Sequence, residues 1–225
     1  EDPYLGSLFA AARVRGFQGE NLAGTSTIAA CAKHFAAYGF AEAGRDYNTV
    51  DISRHTLENI VLPPFKACVD EGVVTFMNAF NEIGGVPATA DPFLLREKLK
   101  GEWDFEGFVV SDWGSVAELV NHGVAADLKE AAELALDAGC DMDMEGYAYV
   151  NHLEELVEEG RLDEALIDEF VRGYYGEAVA PLALGAEAAP SPQHKLAQLP
   201  LGMVVGRLHL RVVNEGPQRL AMGQD

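Results

Sequence analysis

The sequence predicts a parallel α/β fold, in which strand-like apolar runs alternate with amphipathic helices. The alternation occurs four times in succession, and the connecting loops are short and carry glycine. Polar residues follow each apolar run, which is where parallel α/β folds place their chemistry. The pattern suits either a (β/α)₈ barrel or a doubly wound sheet, and four units amount to half of such a barrel.

The first predicted unit begins with a helix and ends in a basic pair. Residues 3–17 have the loose apolar spacing of a helix, and residues 19–26 form a loop. A strand is predicted over residues 27–35, with Lys33 and His34 at its carboxyl end. Adjacent strand residues point to opposite faces, so both side chains can reach one ligand only if the strand ends in a bulge or a bend. We therefore predict a local irregularity at this pair.

The second unit is a proline-interrupted helix followed by a strand. Ser53 predicts the N-cap of the helix, and Gly72 predicts its end. The double proline at residues 63–64 must kink the helix or divide it in two. The apolar run over residues 73–80 predicts the second strand.

The third unit carries the sequence's strongest candidate for chemistry. Asp91, followed by proline, predicts the start of a helix that ends near Gly101. The strand over residues 108–112 then ends abruptly in Asp112, and Trp113 follows it. A carboxylate beside an indole, which can serve as an apolar platform for a sugar ring, suits attack on an electron-poor anomeric carbon. The alternative is that Asp112 simply caps the following helix.

The fourth unit shows a helix capping signal followed by an acidic strand end. Asp127 and Glu130 have capping-box spacing for a helix that ends at Gly139. Residues 140–144 predict a fourth strand, and two further helices are predicted after it, the second capped by Asp163.

The acids at residues 141–145 alternate as in the opening of a calcium loop. The twelfth position of such a loop would be His152, where a bidentate glutamate is required. We therefore expect these acids to line the rim of the sheet, and we predict no metal site.

Composition excludes several classes of partner. The formal charge of −20 argues against binding nucleic acid or an anionic membrane, because both need a basic patch. No apolar run is long enough to cross a bilayer. The three cysteines form no CxxC pair, so neither a disulfide framework nor a zinc site is indicated. No glycine-rich phosphate motif follows any predicted strand, and we expect no cofactor.

The charge distribution predicts two regions. Residues 1–175 carry all of the net negative charge, whereas residues 176–225 balance four acids with four bases and hold five of the ten prolines. We expect residues 1–175 to form the folded domain and residues 176–225 to form an atypical Ala/Pro-rich tail outside it. The first residues lack the pattern of a secretory signal, and the chain opens without Met, so we expect a processed or excised piece.

Six short strings, in the same order, resemble glycoside hydrolase family 3, particularly its bacterial β-glucosidases. The resemblance covers about residues 1–172. The strings are residues 1–5 (EDPYL), 31–39 (CAKHFAAYG), 44–48 (GRDYN), 62–66 (LPPFK), 107–114 (GFVVSDWG) and 125–127 (AAD).

The resemblance implies a retaining, exo-acting glycosidase whose N-terminal domain is a (β/α)₈ barrel, of which this chain would hold about four units. It implies that Asp112 is the nucleophile, that Trp113 lines a sugar subsite and that Lys33 and His34 bind sugar hydroxyls. Phe80 is included among the substrate-binding residues, although it stands where many members have tyrosine and therefore lacks a hydroxyl. The general acid/base of the family lies in a second domain, so we expect it to be missing from this chain.

The sequence leaves other functions open. The chain could be an inactive or weakly sugar-binding fragment, or it could be a β-xylosidase or a β-N-acetylglucosaminidase. The last of these is disfavoured, because members of that branch have Lys-His-Phe-Pro-Gly where this chain continues with Ala36 and Ala37. The partner predicted for this chain is a carbohydrate substrate. Homo-oligomers are a further expectation, because a half-barrel exposes the edges of its sheet.

Overall fold

A computed structural model describes residues 2–22 and 26–175. The predicted tail at residues 176–225 lies outside the described residues. Among the described residues the strands are β1 (Cys31–Phe35), β2 (Thr75–Asn78), β3 (Glu82–Ile83), β4 (Val86–Pro87) and β5 (Phe108–Val110). The α-helices are α1 (Pro3–Gln18), α2 (Arg54–Thr56), α3 (Pro63–Asp70), α4 (Ser115–Asn121), α5 (Leu128–Ala138), α6 (Ala148–Glu158) and α7 (Glu164–Tyr175). The remaining helical segments are π-helical at Leu57–Val61 and Phe93–Glu102, and 3₁₀ at Tyr38–Phe40, Glu42–Gly44 and Ala88–Ala90.

The predicted parallel α/β architecture is confirmed. Three strands form one parallel sheet in the order β1-β2-β5, with Cys31 paired to Thr75 and Thr75 paired to Phe108. Helices separate the successive parallel strands along the chain, as crossover connections require. The short antiparallel hairpin β3–β4 was not predicted; its turn contains Gly84 and Gly85, both with positive φ.

The predicted fourth strand at residues 140–144 does not form a continuous hydrogen-bond ladder with β5. A single parallel bridge joins Val110 to Met142. The carbonyl of Val109 accepts hydrogen bonds from both Asp141 N and Met142 N, at 2.8 and 3.0 Å. Because one acceptor serves two successive donors, the regular alternation of a ladder cannot continue. The segment still runs beside β5, where a fourth strand would lie.

Sequence signals for helix ends are confirmed at several positions. The side chain of Ser53 accepts from Thr56 N at 3.1 Å and caps α2. The double proline divides the predicted long helix, and α3 begins at Pro63. Asp127 caps α5 by accepting from Glu130 N at 2.9 Å, and Gly139 ends that helix with a positive φ. These contacts satisfy backbone N–H groups that the first helical turn leaves unpaired.

One glycine is required by close packing at the entry to β5. A Cβ atom on Gly107 would lie 2.1 Å from the carbonyl oxygen of Val74 and 2.6 Å from a ring carbon of Phe105. The chain therefore needs glycine here for β5 to lie against the backbone that leads into β2. This is a packing role that the apolar run alone did not reveal.

The main core lies between the sheet and its helices. Phe35, Phe76 and Val109, one from each of the three parallel strands, are fully buried in this core. Phe35 and Phe76 meet edge-on with centroids 5.2 Å apart. A second, smaller cluster contains Val74, Phe108 and Val110. No helix in the described part of the chain is long and apolar enough to cross a membrane.

Candidate active site

Asp112 lies just beyond the carboxyl end of β5, and its carboxylate is held at both oxygens. Oδ1 accepts a hydrogen bond from Trp113 N at 2.7 Å. Oδ2 lies 3.3 Å from Nε2 of His34, a residue of β1, which is separated from β5 by β2. The side chain of Asp112 is 13% exposed, so it is sheltered but reachable.

The alternative that Asp112 caps the following helix is wrong. The N-cap of α4 is Gly114, in a left-handed conformation, and that cap has no side-chain hydrogen bond. Only the backbone carbonyl of Asp112 serves this turn, by accepting from Ser115 N at 3.1 Å. The carboxylate is therefore directed elsewhere, toward His34.

The backbone beyond β5 is fixed by the segment that replaces the fourth strand. Ser111 is fully buried, and its hydroxyl donates to Asp112 O at 2.9 Å while accepting from Met144 N at 2.8 Å. Gly114 N donates to Met144 O at 2.7 Å. Residues on both sides of Asp112 are thus tied to residues 142–144, which limits the positions that its carboxylate can take.

The predicted irregularity at Lys33 and His34 is confirmed. The register between β1 and β2 shifts between Ala32 and Phe35, and the Lys33–His34 peptide bond is cis. His34 is partly buried and faces Asp112, whereas Lys33 is exposed. The nearest hydrogen-bond partner of the Lys33 ammonium is Met77 Sδ, at 4.0 Å. The structure thus brings His34, but not Lys33, into direct contact with Asp112.

Aromatic rings form an arc that begins at His34. The ring of His34 meets Tyr38 edge-on at a centroid distance of 5.1 Å, Tyr38 lies 6.1 Å from Phe80, and Phe80 lies 4.4 Å from Tyr47. Phe80 is therefore a central member of this arc. Trp113, by contrast, is 64% exposed.

Tyr38 and Tyr47 are site-adjacent residues that sequence reasoning did not select. Both fall within the strings that carry the family resemblance, and that position was the available signal. The Tyr38 hydroxyl donates to Asp46, and burial together with the charge of Asp46 raises the pKa of Tyr38. The phenol therefore stays protonated and can act as a donor at neutral pH.

The acids at residues 141–145 do not line the rim as expected. Asp141 is 3% exposed, forms an ion pair with Lys100 and accepts from Val109 N at 2.8 Å. Asp143 accepts from Gly146 N and Ala148 N at the start of α6. Both acids therefore hold the local fold together. No group of three His, Cys, Asp or Glu side chains in the described residues is placed to hold a metal ion.

The ionisation of His34 depends on opposing influences. Burial lowers the pKa of His34 and outweighs the nearby carboxylate of Asp112, which raises it; Lys33 lowers it further. The net shift is downward from an ordinary value of 6.5. The imidazole is therefore neutral at pH 7, when one ring nitrogen carries a proton that can be donated.

We expect the pKa of His34 to move in opposite directions in two variants. Asp112→Asn removes the carboxylate that favours the imidazolium, so the pKa should fall further. Lys33→Gln removes a repelling cation, so the pKa should rise. An NMR titration of the imidazole resonances would measure both, with Asp46→Asn as a control expected to give a smaller fall than Asp112→Asn. Shifts of the same sign in both variants would contradict this arrangement.

Two cavities adjoin this cluster. One of about 470 Å³ is lined by Lys33, His34 and Tyr38, together with residues of α1 and α3. The other, of about 340 Å³, is lined by Tyr47, Glu118, Asn121 and His122. Asp112 lines neither cavity, but His34 links it to the first, and the first turn of α4 links it to the second.

The comparisons with known proteins agree on one family. The family model described as "Glycosyl hydrolase family 3 N terminal domain" matches residues 1–173. The chain is 42% identical over 172 residues to the periplasmic beta-glucosidase of Salmonella typhimurium, covering 76% of this chain and 22% of that protein. It is 37% identical over 179 residues to a putative beta-xylosidase of Formosa agariphila, covering 76% of this chain and 23% of that protein.

A solved structure is similar in fold as well as in sequence. The beta-glucosidase of Listeria innocua in complex with glucose matches with a TM-score of 0.74 and 46% identity, covering 76% of this chain and 24% of that chain. This chain thus spans roughly a quarter of the length of the relatives it matches.

Proposed function

The chain belongs to glycosyl hydrolase family 3, and on that basis we propose that it carries the nucleophile of a retaining, exo-acting β-glucosidase, Asp112. We propose further that the described strand–helix units are part of a (β/α)₈ barrel, within a catalytic region at residues 1–175. The observation that carries the proposal is the Asp112 carboxylate, which serves no helix cap and lies 3.3 Å from His34 beyond the end of a parallel strand.

The proposed reaction has two steps. A carboxylate oxygen of Asp112 attacks the anomeric carbon, and the bond from that carbon to the leaving oxygen breaks, with its electron pair going to the leaving group. Water then adds to the anomeric carbon of the glycosyl-enzyme, and the bond from that carbon to the Asp112 oxygen breaks, with its electron pair returning to the carboxylate. The added water loses one proton to solvent, and the two inversions give net retention. Protonation of the leaving oxygen is not assigned to any of the described residues.

The surrounding residues have roles that follow from their positions. Trp113 N and His34 hold the carboxylate in one orientation, and an ionised carboxylate is the form that can attack. On the side of the larger cavity, Lys33 supplies hydrogen-bond donors for sugar hydroxyls, and the second ring nitrogen of His34, Nδ1, can accept from one. Trp113 and Phe80 supply apolar faces for sugar rings, of which Trp113 is the more accessible.

The proposed substrate is a β-glucoside or a short β-linked glucose oligosaccharide. It is supported by the names of relatives as beta-glucosidases and by the glucose bound in the Listeria innocua structure. A β-xyloside is the second candidate, because a relative of 37% identity is named as a putative beta-xylosidase.

Covalent trapping tests the proposed nucleophile. In 2-deoxy-2-fluoro-β-glucosyl fluoride, the fluorine at C2 slows both steps, while the fluoride at the anomeric carbon leaves readily. A glycosyl-enzyme should therefore accumulate on this chain and appear by mass spectrometry. Peptide mapping should place the label on Asp112. The xylosyl analogue, used in parallel, should label more slowly if glucosides are the substrates. A label on any other residue, or none with either reagent, would contradict the proposal.

A further inference from the structure

Three polar side chains with almost no solvent exposure meet beside the turn that carries Asp112. They are Asn78, the last residue of β2, Thr89, in the 3₁₀ segment Ala88–Ala90, and Ser115, the first residue of α4. Their exposed fractions are 0%, 2% and 2%. Burying polar groups costs stability unless they are hydrogen-bonded. These three residues, the buried triad, satisfy that requirement largely through one another.

Hydrogen bonds join the members of the buried triad. Asn78 Nδ2 donates to Thr89 Oγ1, which donates in turn to Ser115 Oγ at 3.0 Å. Asn78 Nδ2 also lies 3.4 Å from Ser115 Oγ. Because each member comes from a different segment, these bonds tie the end of β2, the 3₁₀ segment and the start of α4 together. A hydrogen-bonded network that is shielded from water holds its members in fixed positions.

One end of the buried triad contacts the turn that carries Asp112. Ser115 N donates to Asp112 O at 3.1 Å, which closes the turn from β5 into α4. The same turn is tied to Met144 through the hydroxyl of Ser111 and the N of Gly114. The Ser115 side chain therefore gives this turn a second attachment, to β2 and the 3₁₀ segment.

The other end of the buried triad contacts the strand that carries His34. Asn78 pairs with Phe35, the residue after His34, and Ala79 N donates to Phe35 O at 2.9 Å. Because β2 lies between β1 and β5, the strands that lead to His34 and Asp112 are about 10 Å apart, twice the spacing of neighbouring strands. The 3.3 Å contact between the two side chains therefore depends on how the ends of all three strands are held together.

We propose that Asn78, Thr89 and Ser115 are positioning residues, which hold the Asp112 carboxylate against His34 and thereby fix the direction of its attack. The inference rests on the proposed function for the identity of the reacting atoms. The triad acts through the hydrogen bond from Ser115 N to Asp112 O, and a misplacement of about 1 Å can slow a reaction by about 100-fold. Loss of the triad should therefore slow attack and leave sugar binding nearly unchanged.

Thr89→Val tests the inference, because valine keeps the shape of threonine but removes the hydroxyl between Asn78 and Ser115. Trapping with 2-deoxy-2-fluoro-β-glucosyl fluoride on the complete chain gives a rate constant for labelling and an apparent affinity for the reagent. We expect the rate constant of the folded protein to fall about tenfold while the affinity changes by less than about twofold. Ser115→Ala should act in the same way. Thr89→Ser keeps the hydroxyl and should label within about twofold of the unmodified rate.

Thr75→Val is the matched control. Thr75 is also a buried threonine, and its hydroxyl donates to Ala30 O at 2.9 Å. It is the first residue of β2, whereas Asp112 lies beyond the carboxyl end of the parallel strand β5. Thr75→Val should lower stability in urea as Thr89→Val does, because each removes a buried hydrogen bond, but its labelling rate should stay within about twofold of the unmodified rate.

The imidazole of His34 gives a second readout that does not require turnover. The Asp112 carboxylate raises the pKa of His34, so movement of that carboxylate away should let the pKa fall in Thr89→Val. Loosening that only admits water to the imidazole would raise the pKa instead. Thr89→Val changes neither of the other charges that act on His34, which are those of Lys33 and Asp46. An NMR titration of each variant measures the direction.

Three results would overturn the inference. They are an unchanged labelling rate in Thr89→Val and Ser115→Ala, a pKa of His34 that falls in neither variant, and an equal loss of labelling rate in Thr75→Val. If Thr89→Val does not fold, Ser115→Ala decides. Failure of the proposed function is seen separately, as absence of labelling in the unmodified chain. In that event the pKa of His34 alone decides whether the triad holds Asp112 against His34.

Discussion

Replacing Asp112 by asparagine is expected to slow cleavage of an activated aryl β-glucoside by roughly 10⁴-fold, the scale on which loss of a catalytic carboxylate slows other covalent enzymes. The amide keeps the shape of the side chain and can still accept from Trp113 N, but it is not a nucleophile. A dinitrophenyl glucoside is the appropriate substrate, because its leaving group departs without protonation. Steady-state and single-turnover rates on the complete chain would measure the effect.

The control for this variant makes the same change at an exposed position. Asp137→Asn lies near the end of α5 and should leave the rate within about twofold. A second variant, Asp112→Gly, opens space for azide, which should restore product formation as the α-glucosyl azide, because a single displacement inverts the anomeric carbon. A loss of less than tenfold in Asp112→Asn, or a β-glucosyl azide from Asp112→Gly, would argue against Asp112 as the nucleophile.

Local sequence signals were sufficient for most of the fold. The alternation of apolar runs and helical stripes gave the parallel α/β class, and each of β1, β2 and β5 lies inside a predicted strand. Capping residues such as Ser53 and Asp127 located helix starts, because the side chain that satisfies the first turn is close in sequence to the turn it caps. The bend at Lys33 and His34 was also predictable, since the pleat forbids two adjacent residues from sharing one face.

Contacts between distant segments were not predictable in the same way. The acidic string after Gly139 was expected at the rim, yet Asp141 pairs with Lys100, 41 positions earlier in the chain. Nothing in the local pattern of either residue indicates the other. Glu118 likewise resembles any polar residue on an amphipathic helix, yet it lines one cavity with Tyr47, 71 positions earlier in the chain.

The regularity of the last strand was also beyond local sequence. Residues 140–144 are apolar and acidic in alternation, as in a strand, but the ladder is limited to one bridge because Val109 O accepts from two successive N–H groups. The outcome depends on the position of Asp141, whose carboxylate also accepts from Val109 N. The pairing of residues 140–144 with β5 and the side-chain contact of Asp141 with Val109 therefore depend on each other. The pattern of apolar and acidic residues predicts neither of them.

Replacing Lys100 by methionine is expected to destabilise the fold by about 3–5 kcal/mol, the usual cost of leaving one partner of a buried ion pair uncompensated. The Lys100 ammonium lies 2.5 Å from Asp141 Oδ1, and the two side chains are 14% and 4% exposed. Asp141 Oδ2 meanwhile accepts from Val109 N within β5, only three residues before Asp112. The loss should appear in urea denaturation, with Lys66→Met, on a largely exposed pair with Asp70, costing at most about 1 kcal/mol.

The cost in Lys100→Met should depend on pH in a defined direction. Burial already raises the pKa of Asp141, and Lys100 opposes that rise, so removing the ammonium should raise the pKa further. A carboxyl whose pKa is higher in the folded state stabilises the fold below its unfolded pKa, and this contribution is lost as pH rises through the folded pKa. The deficit relative to the unmodified chain should therefore be smaller at pH 5 than at pH 7.

A second substitution separates the lost charge partner from lost packing. In Lys100→Met with Asp141→Asn, the amide oxygen can still accept from Val109 N while no buried charge remains, so about half of the lost stability should return. Asp141→Asn alone should cost less than Lys100→Met, because Lys100 keeps Glu169 as a partner at 3.3 Å. If the double variant is no more stable than Lys100→Met, the cost arises from the packing of the lysine stem, and the ion pair does not govern the position of β5.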